Sequence, residues 1–223
     1  MPKKENNMAT LESQTSAFKT TAYANIPPAT AGTIADWISE LSASGITERS
    51  LQVGQAAPKF ALPNAHGQTV TLTDLLASGP VVVTFYRGAW CPFCNIALRA
   101  YQGILPEIQS LGTSFVAISP QTPDNSLTQT EKEHLGYEVL SDAGNAVARQ
   151  FGIVYKLGDA MTQVSARFGL DLSKVNGDDS RELPLPGTFI IDQSGTIRFA
   201  QVFTDHAQRT EPSAILEILR GLA

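Results

Sequence analysis

The sequence predicts an α/β fold: a mixed central sheet flanked by helices, with an N-terminal helical extension. Two runs, residues 80–86 (PVVVTFY) and 114–119 (SFVAIS), are almost continuously apolar or β-branched, which is typical of strands buried on both faces. Strand and helix patterns alternate from the first of these runs onward. Near the C-terminus a strand at 186–192, a turn and a second strand at 196–203 indicate an antiparallel hairpin, so the sheet is expected to be mixed.

The first 50 residues are predicted to be an extension outside the main domain. Residues 1 to about 20 are polar, and we expect them to be disordered. Apolar side chains then recur at helical spacing: Ile34, Trp37, Ile38 and Leu41. This amphipathic helix, which we expect to end at Gly45, either packs on its own domain or forms the contact of a homodimer.

The main domain is predicted to span residues 51–223. Two short strands surround a turn at 64–67, and the helix after the first buried strand contains Pro106, which is expected to kink or split it. The remaining predicted elements are a helix at 127–135, a strand at 137–140, a helix at 145–151, an insertion on the rim at 156–183 and a last helix around 215–219.

Composition excludes several classes of function. The chain has 223 residues and a formal net charge of −5, without a basic stripe, so nucleic acid is not an expected partner. No apolar run is long enough for a signal peptide or a membrane span, so no membrane partner and a cytoplasmic location are predicted.

The only two cysteines, Cys91 and Cys94, form a CxxC pair directly after the first buried strand. Pro92 suits the first position of a helix, which would place Cys91 at the N-cap. A helix N-terminus contributes about 1 kcal/mol, or about one pKa unit, toward the thiolate. Arg87 would add to this shift if its side chain turned inward, and we therefore expect Cys91 to be the more exposed and more acidic thiol.

Other uses of a CxxC pair are less well supported. A permanent structural disulfide is uncommon in a reducing compartment. The three histidines, His66, His134 and His206, lie far apart and have no ligand spacing, so no metal and no cofactor are predicted.

From residue 51 onward the chain resembles the AhpC/TSA peroxiredoxins of the thioredoxin-fold superfamily, in particular the peroxiredoxin-like group that carries CxxC. The resemblance rests on five segments in order: VGQAAPKFALPNAHGQTVTL, FYRGAWCPFC, FVAISPQTP, LSDAGNAVARQFGIVY and PGTFIIDQSGTIRF. It implies a thioredoxin-like fold, a hydroperoxide substrate and a thioredoxin- or glutathione-type thiol reductant.

The resemblance also shows a departure from the family's motif. In the peroxiredoxin pattern P-x-x-x-[TS]-x-x-C, the peroxidatic cysteine corresponds to Cys94, whereas Arg87 and Cys91 replace the proline and the Thr/Ser. A further family arginine corresponds to Pro186. With thioredoxins as the template, Cys91 instead attacks, Cys94 resolves, and Pro186 is a cis-proline facing the pair. The two comparisons assign opposite roles to the two sulfurs.

The resemblance implies a peroxidase that cycles through a Cys91–Cys94 disulfide. Because three usual companions of the cysteine are replaced and Arg87 is the only cation nearby in sequence, slow peroxide turnover is expected. The alternatives are a protein disulfide reductase with little peroxidase activity, and a redox-sensing binding protein whose surface changes around Trp90 and Phe93.

Overall fold

The computed structural model of the chain describes residues 9–126 and 134–222. Its centre is a five-stranded mixed sheet with the strand order β5-β4-β3-β8-β9. These strands are β3 (Val81–Phe85), β4 (Ser114–Ser119), β5 (Glu138–Ser141), β8 (Gly187–Ile191) and β9 (Ile197–Val202). The remaining strands form two antiparallel pairs, β1 (Ala61–Pro63) with β2 (Thr69–Thr71) and β6 (Val154–Lys156) with β7 (Glu182–Pro184). The predicted mixed sheet and its C-terminal hairpin are confirmed.

The middle strand, β3, is buried along its whole length. It runs parallel to β4 and antiparallel to β8. Val81 and Val83 belong to the apolar core on one face of the sheet and Val82 to the core on the other. This burial on both faces explains why the sequence of β3 lacks the polar alternation of a strand with one wet face.

The sheet lies between two layers of helices. The helices whose full extent lies within the described residues are α1 (Leu11–Tyr23), α2 (Pro28–Ala43), α3 (Ile46–Arg49), α4 (Leu72–Ser78), α5 (Pro92–Ser110), α6 (Ala146–Gln150), α7 (Asp159–Arg167), α8 (Leu172–Asn176) and α9 (Pro212–Leu222). Apolar residues of α5 and α9 pack in one core, and those of α2, α6 and α7 pack in the other. Helix α5 continues through Pro106, so the predicted split does not occur.

The N-terminal extension is more ordered than predicted. The expectation of disorder to about residue 20 is wrong over residues 11–20, which belong to α1. Helix α1 is fixed at its start, where the backbone N–H of Leu11 donates to the Glu211 carboxylate at 3.0 Å and that of Glu12 at 2.6 Å. The one amphipathic helix predicted in the extension is confirmed as α2, and its Ile34 and Trp37 are buried within the chain, as the intrachain alternative predicted.

The insertion predicted at 156–183 lies between β6 and β7, which pair with each other. It forms α7 and α8, and α7 packs against α2. Most of the helix predicted at 127–135 lies outside the described residues. Within the described ranges, no helix has the length and apolar character needed to cross a membrane.

Candidate active site

The two cysteines lie where β3 gives way to α5. Cys91 is the N-cap of α5 with extended backbone angles, and Pro92 is at the start of the helix, as predicted. The backbone N–H of Cys94 donates to the carbonyl of Cys91 at 3.0 Å. Just upstream, Gly88 has a φ of +142°, and a Cβ there would lie 2.4 Å from Nε1 of Trp90. A glycine is therefore needed for Trp90 to pack over this junction.

Both sulfurs belong to buried, free cysteines. Cys91 is 1% exposed and Cys94 is 0% exposed, so the predicted difference in exposure between the two thiols is very small. The two differ in another respect: Cys91 lines a cavity and Cys94 is absent from its wall. A small molecule that enters this cavity meets Cys91 first.

The Arg87 side chain turns inward, which is the condition for its charge to lower the pKa of Cys91. It is 5% exposed, and its Nη1 lies 4.0 Å from Sγ of Cys91. The guanidinium carbon lies 4.7 Å from the ring centroid of Trp90 and 5.5 Å from that of Trp37, which are cation–π distances. The two indoles fix the position of the charge beside Cys91.

Arg209 is the second cation at the site, and sequence reasoning missed it. Its Nη2 lies 2.8 Å from Sγ of Cys94, and its Nη1 donates to the carbonyl of His206 at 2.8 Å and to that of Gln208 at 2.5 Å. Arg87 is the only cation expected from its closeness in sequence, and the fold adds Arg209 from 115 residues away. A guanidinium is therefore present at the site, while Arg87 and Cys91 still replace the proline and the Thr/Ser of the family's motif.

The two guanidiniums direct their charge at sulfur. Within the described ranges, no ion pair joins Arg87 or Arg209 to a carboxylate. A buried cation without a counter-ion is costly, and a thiolate beside it removes that cost. The site is thus built to hold negative charge on the cysteine pair.

Electrostatic interactions and hydrogen bonds shift the pKa values of the two thiols in opposite directions. Burial alone would raise the pKa of Cys91, but a hydrogen bond from Cys94 and the charges of Arg87 and Arg209 hold that pKa well below its usual value. Burial, together with the hydrogen bond to Cys91, raises the pKa of Cys94 well above its usual value. The predicted acidity of Cys91 is supported by side chains more than by the helix terminus, since its side chain makes no capping hydrogen bond.

The cavity that Cys91 lines has a volume of about 420 Å³. Its inner end holds Arg87, Trp37 and Trp90 beside Cys91. Apolar residues of the N-terminal extension and of the insertion complete the wall, among them Phe18, Ile26, Met161, Val164 and Phe168. The redox-active pair therefore opens into an apolar pocket of the size that holds a small molecule.

His206 and α1 close one side of this pocket. Nε2 of His206 lies 3.3 Å from the hydroxyl of Tyr23, and its ring contacts those of Trp37 and Phe93. Burial and the nearby charges of Arg87, Arg209 and Lys19 lower the pKa of His206 well below its usual value, so the ring is neutral. Lys19 binds Asp205 at 2.7 Å and ties α1 to the same segment.

Pro186 does not have the role that the thioredoxin comparison implied. The described residues contain no cis peptide bond, so the prediction of a cis Leu185–Pro186 bond is wrong. Pro186 is buried outside the cavity wall, and its carbonyl accepts the backbone N–H of Phe203 at 3.0 Å. Its position at the start of the hairpin explains its burial.

Fold and site together define a class: a thioredoxin-like fold with a CxxC pair at a strand-to-helix junction. The model of the AhpC/TSA family matches residues 53–200, more than half of the chain, and the chain belongs to that family. The match leaves α1, α2 and Arg209 outside its limits.

Similar proteins agree with this assignment. Peroxiredoxin Bcp of Escherichia coli (strain K12) is 35% identical over 103 residues, which are 46% of this chain and 65% of that protein, slightly under two thirds of its length. A putative peroxiredoxin bcp of Haemophilus influenzae is 28% identical over 178 residues, 77% of this chain and 98% of that protein. The crystal structure of peroxidoxin BcpB from Mycobacterium tuberculosis has a TM-score of 0.62 at 24% identity, covering 78% of this chain and 99% of that one, and confirms the predicted fold.

Proposed function

We propose that the protein is a thiol-dependent peroxidase that reduces hydroperoxides, with Cys91 as the attacking thiolate and Cys94 as the resolving thiol. The observation that carries the proposal is the asymmetry of the pair: Cys91 lines the cavity and has the lowered pKa, whereas Cys94 is shielded and has the raised pKa. The names of the relatives support a peroxidase, and the thioredoxin comparison supports this order of attack.

The first step is the attack of the Cys91 thiolate on the distal oxygen of the peroxide. The O–O bond breaks, Cys91 becomes a sulfenic acid, and the leaving alkoxide takes the proton of Cys94 to give an alcohol. Arg209 then stabilises the Cys94 thiolate that remains. That thiolate attacks the sulfenic sulfur, forming the Cys91–Cys94 disulfide, and hydroxide leaves and is protonated to water.

Buried donors at the inner end of the cavity fit a substrate with oxygen atoms. Nε1 of Trp37, Nε1 of Trp90 and Nε of Arg87 are all buried and have no hydrogen-bond partner among residues 9–126 and 134–222. An unmade bond of this kind costs about 1–3 kcal/mol, which a bound acceptor recovers. Peroxide oxygens beside Cys91 would supply such acceptors, and Arg87 would stabilise the charge that develops on them.

The proposed cycle also needs a reductant and a cellular compartment that keeps thiols reduced. Two electrons return from a thiol reductant, for which thioredoxin- and glutathione-type thiols are the candidates implied by sequence. A dithiol that must be re-reduced suits the cytoplasm.

We also propose that residues 51–223 form the catalytic domain and 1–50 an extension that covers its site. We further propose that the chain forms a homodimer.

The rival activity of a protein disulfide reductase has less support. Such an enzyme needs an accessible attacking sulfur, whereas both cysteines are buried. Its characteristic cis-proline is also absent among the described residues.

The test is peroxide consumption by the wild type beside Cys91→Ser and Cys94→Ser. We expect Cys91→Ser to be inactive. Cys94→Ser should consume about one equivalent of peroxide and stop with a sulfenic acid on Cys91, which a dimedone-type reagent labels. In the wild type, mass spectrometry should find one intramolecular disulfide, with two hydrogens lost. A sulfenic acid on Cys94 in the Cys91→Ser variant would reverse the assignment.

A further inference from the structure

The Cys91–Cys94 disulfide must be reduced before the next cycle, and the structure restricts which thiol reductant can do this. Cys91 and Cys94 lie within the first turn of α5, so their disulfide can form without a large movement of the chain. Both side chains are buried, and Cys91 alone lines the cavity. Because exchange requires a thiolate to contact a disulfide sulfur, the reductant must reach Cys91 through that cavity.

The entrance to the cavity is apolar. Phe18 is 36% exposed and Phe168 is 62% exposed, and together with the exposed Pro92 they mark its mouth. Phe18 comes from α1 and packs edge-on against Phe93 at 5.3 Å between ring centroids. Helix α1 is held in place by Glu211 and by the Lys19–Asp205 ion pair. The mouth is thus an apolar rim, and one side of it is held in place by the contacts of α1.

The interior offers little to a charged ligand. Among the described residues that line the cavity, Arg87 is the one side chain with a full charge, and it is packed between Trp37 and Trp90. A tripeptide thiol with two carboxylates would lose hydration at both and find at most one cation. A protein dithiol presents its cysteine on a broad surface, whereas Cys91 is 1% exposed and is reached through the cavity.

We infer that the physiological reductant is a slender, uncharged thiol on an apolar chain, which enters the cavity formed by α1, α2 and α7 and attacks Cys91. This inference rests on the proposed function and names the reductant of that same site. It narrows the sequence-based expectation of a thioredoxin- or glutathione-type donor. A volume of about 420 Å³ accommodates such a molecule.

Reduction of the Cys91–Cys94 disulfide is balanced in atoms and electrons when the reductant is a dithiol. One thiolate of the reductant attacks Sγ of Cys91, the Cys91–Cys94 bond breaks, and Cys94 leaves as a thiolate beside Arg209. The second thiol of the reductant then attacks the mixed disulfide and releases Cys91. The reductant becomes a cyclic disulfide, losing two electrons and two protons, and the cysteine pair gains them.

The experiment starts from the full chain oxidised with diamide, so that it does not depend on any reaction with peroxide. Re-reduction is timed with three donors at equal thiol concentration: dihydrolipoamide, glutathione and a bacterial thioredoxin. Each rate is divided by that donor's rate with an unhindered aromatic disulfide. We expect the normalised rate for dihydrolipoamide to exceed the other two by at least about tenfold, equivalent to about 1.4 kcal/mol. A higher or equal rate with thioredoxin or glutathione overturns the inference.

A pair of matched variants tests the route. Phe168→Glu places a charge at the rim, and Val53→Glu places one at a position of similar exposure, 61%, outside the cavity wall. We expect Phe168→Glu to lower the dihydrolipoamide rate several-fold and Val53→Glu to leave it unchanged. Equal rates in the two variants would show that the reductant does not pass this rim. If peroxide fails to oxidise Cys91, the proposed peroxidase function is wrong. The reduction rates measured after diamide oxidation would still test the inference about the reductant.

Discussion

Two regions of the molecule meet at the cysteine pair, and they are built differently. The first is the junction of β3 and α5, residues 85–94, which lies inside the family match and takes its geometry from local sequence. The second consists of α1, α2 and residues 203–211, which lie outside the match and reach the site only through tertiary contacts. The first region supplies the sulfurs. The second supplies a guanidinium and much of the pocket wall, so the reactivity of this site depends on segments that lie outside the family match.

The variant with the largest expected effect removes the cation that the second region contributes, Arg209. We expect Arg209→Ala to slow peroxide turnover by about 100- to 1000-fold, because the Cys94 thiolate loses its stabilising donor. Arg209→Lys should retain part of the rate, since the charge remains without the planar geometry. The control is Arg198→Ala, which removes an arginine paired with Asp192 on the hairpin. Comparable turnover in Arg209→Ala and Arg198→Ala would mean that the second region does not act on the sulfurs.

The pH dependence of Cys91 tests the same point without mutation. Its pKa is lowered, so the thiolate persists above that lowered pKa and is lost only as pH falls through it. Between pH 8 and 6 an ordinary thiol with a pKa of about 8.5 loses on the order of 100-fold in thiolate. We expect alkylation of Cys91 in the wild-type protein, followed at that residue by mass spectrometry, to fall far less over this range, because Arg87, Arg209 and the hydrogen bond from Cys94 are all present. A profile like that of a free thiol would show that the two arginines do not set its acidity.

Arg87 belongs to the first region but is held by a tryptophan from each region, Trp90 and Trp37. We expect Arg87→Met to raise the pKa of Cys91 by about one unit, slowing its alkylation near neutral pH by up to about tenfold. Alkylation followed across pH by mass spectrometry measures the shift. Arg198→Met serves as the control, and an unshifted profile in Arg87→Met would leave Arg209 as the main cause.

The smallest effect is expected at the anchor of α1. Glu211→Gln weakens the charge at the start of this helix and should lower stability by about 1 kcal/mol, or roughly 2–4 °C in Tm. Glu217→Gln, at an exposed position on α9, is the matched control. Thermal unfolding measures both, and identical Tm values would show that this contact does not hold the extension in place.

Sequence reasoning found the first region and missed most of the second, for physical reasons. The apolar run of β3 and the proline after Cys91 are local signals, so the strand, the helix start and the cysteine pair could be predicted. Helix α1 has only two fully buried residues, Leu11 and Thr15, and owes its place partly to Glu211, 200 residues away. Such a contact leaves no periodic pattern in the sequence.

Arg209 was missed for the same reason, because it lies in the polar stretch TDHAQRTEP and 115 residues from Cys94. Pro186 shows the opposite error. Aligned motifs gave it a thioredoxin role, but the peptide bond is trans and its carbonyl binds the backbone of Phe203. An alignment transfers positions, whereas the packing around each position decides its role.

The stacking of Arg87 between two indoles has a spectroscopic consequence. Trp37 and Trp90 are the only tryptophans in the chain, and both line the cavity beside Cys91. Tryptophan emission from the whole protein therefore originates at the site, without background from elsewhere. We expect the quantum yield of the two indoles to change when the neighbouring cysteines form their disulfide, which would give the protein its own optical reporter of the cycle.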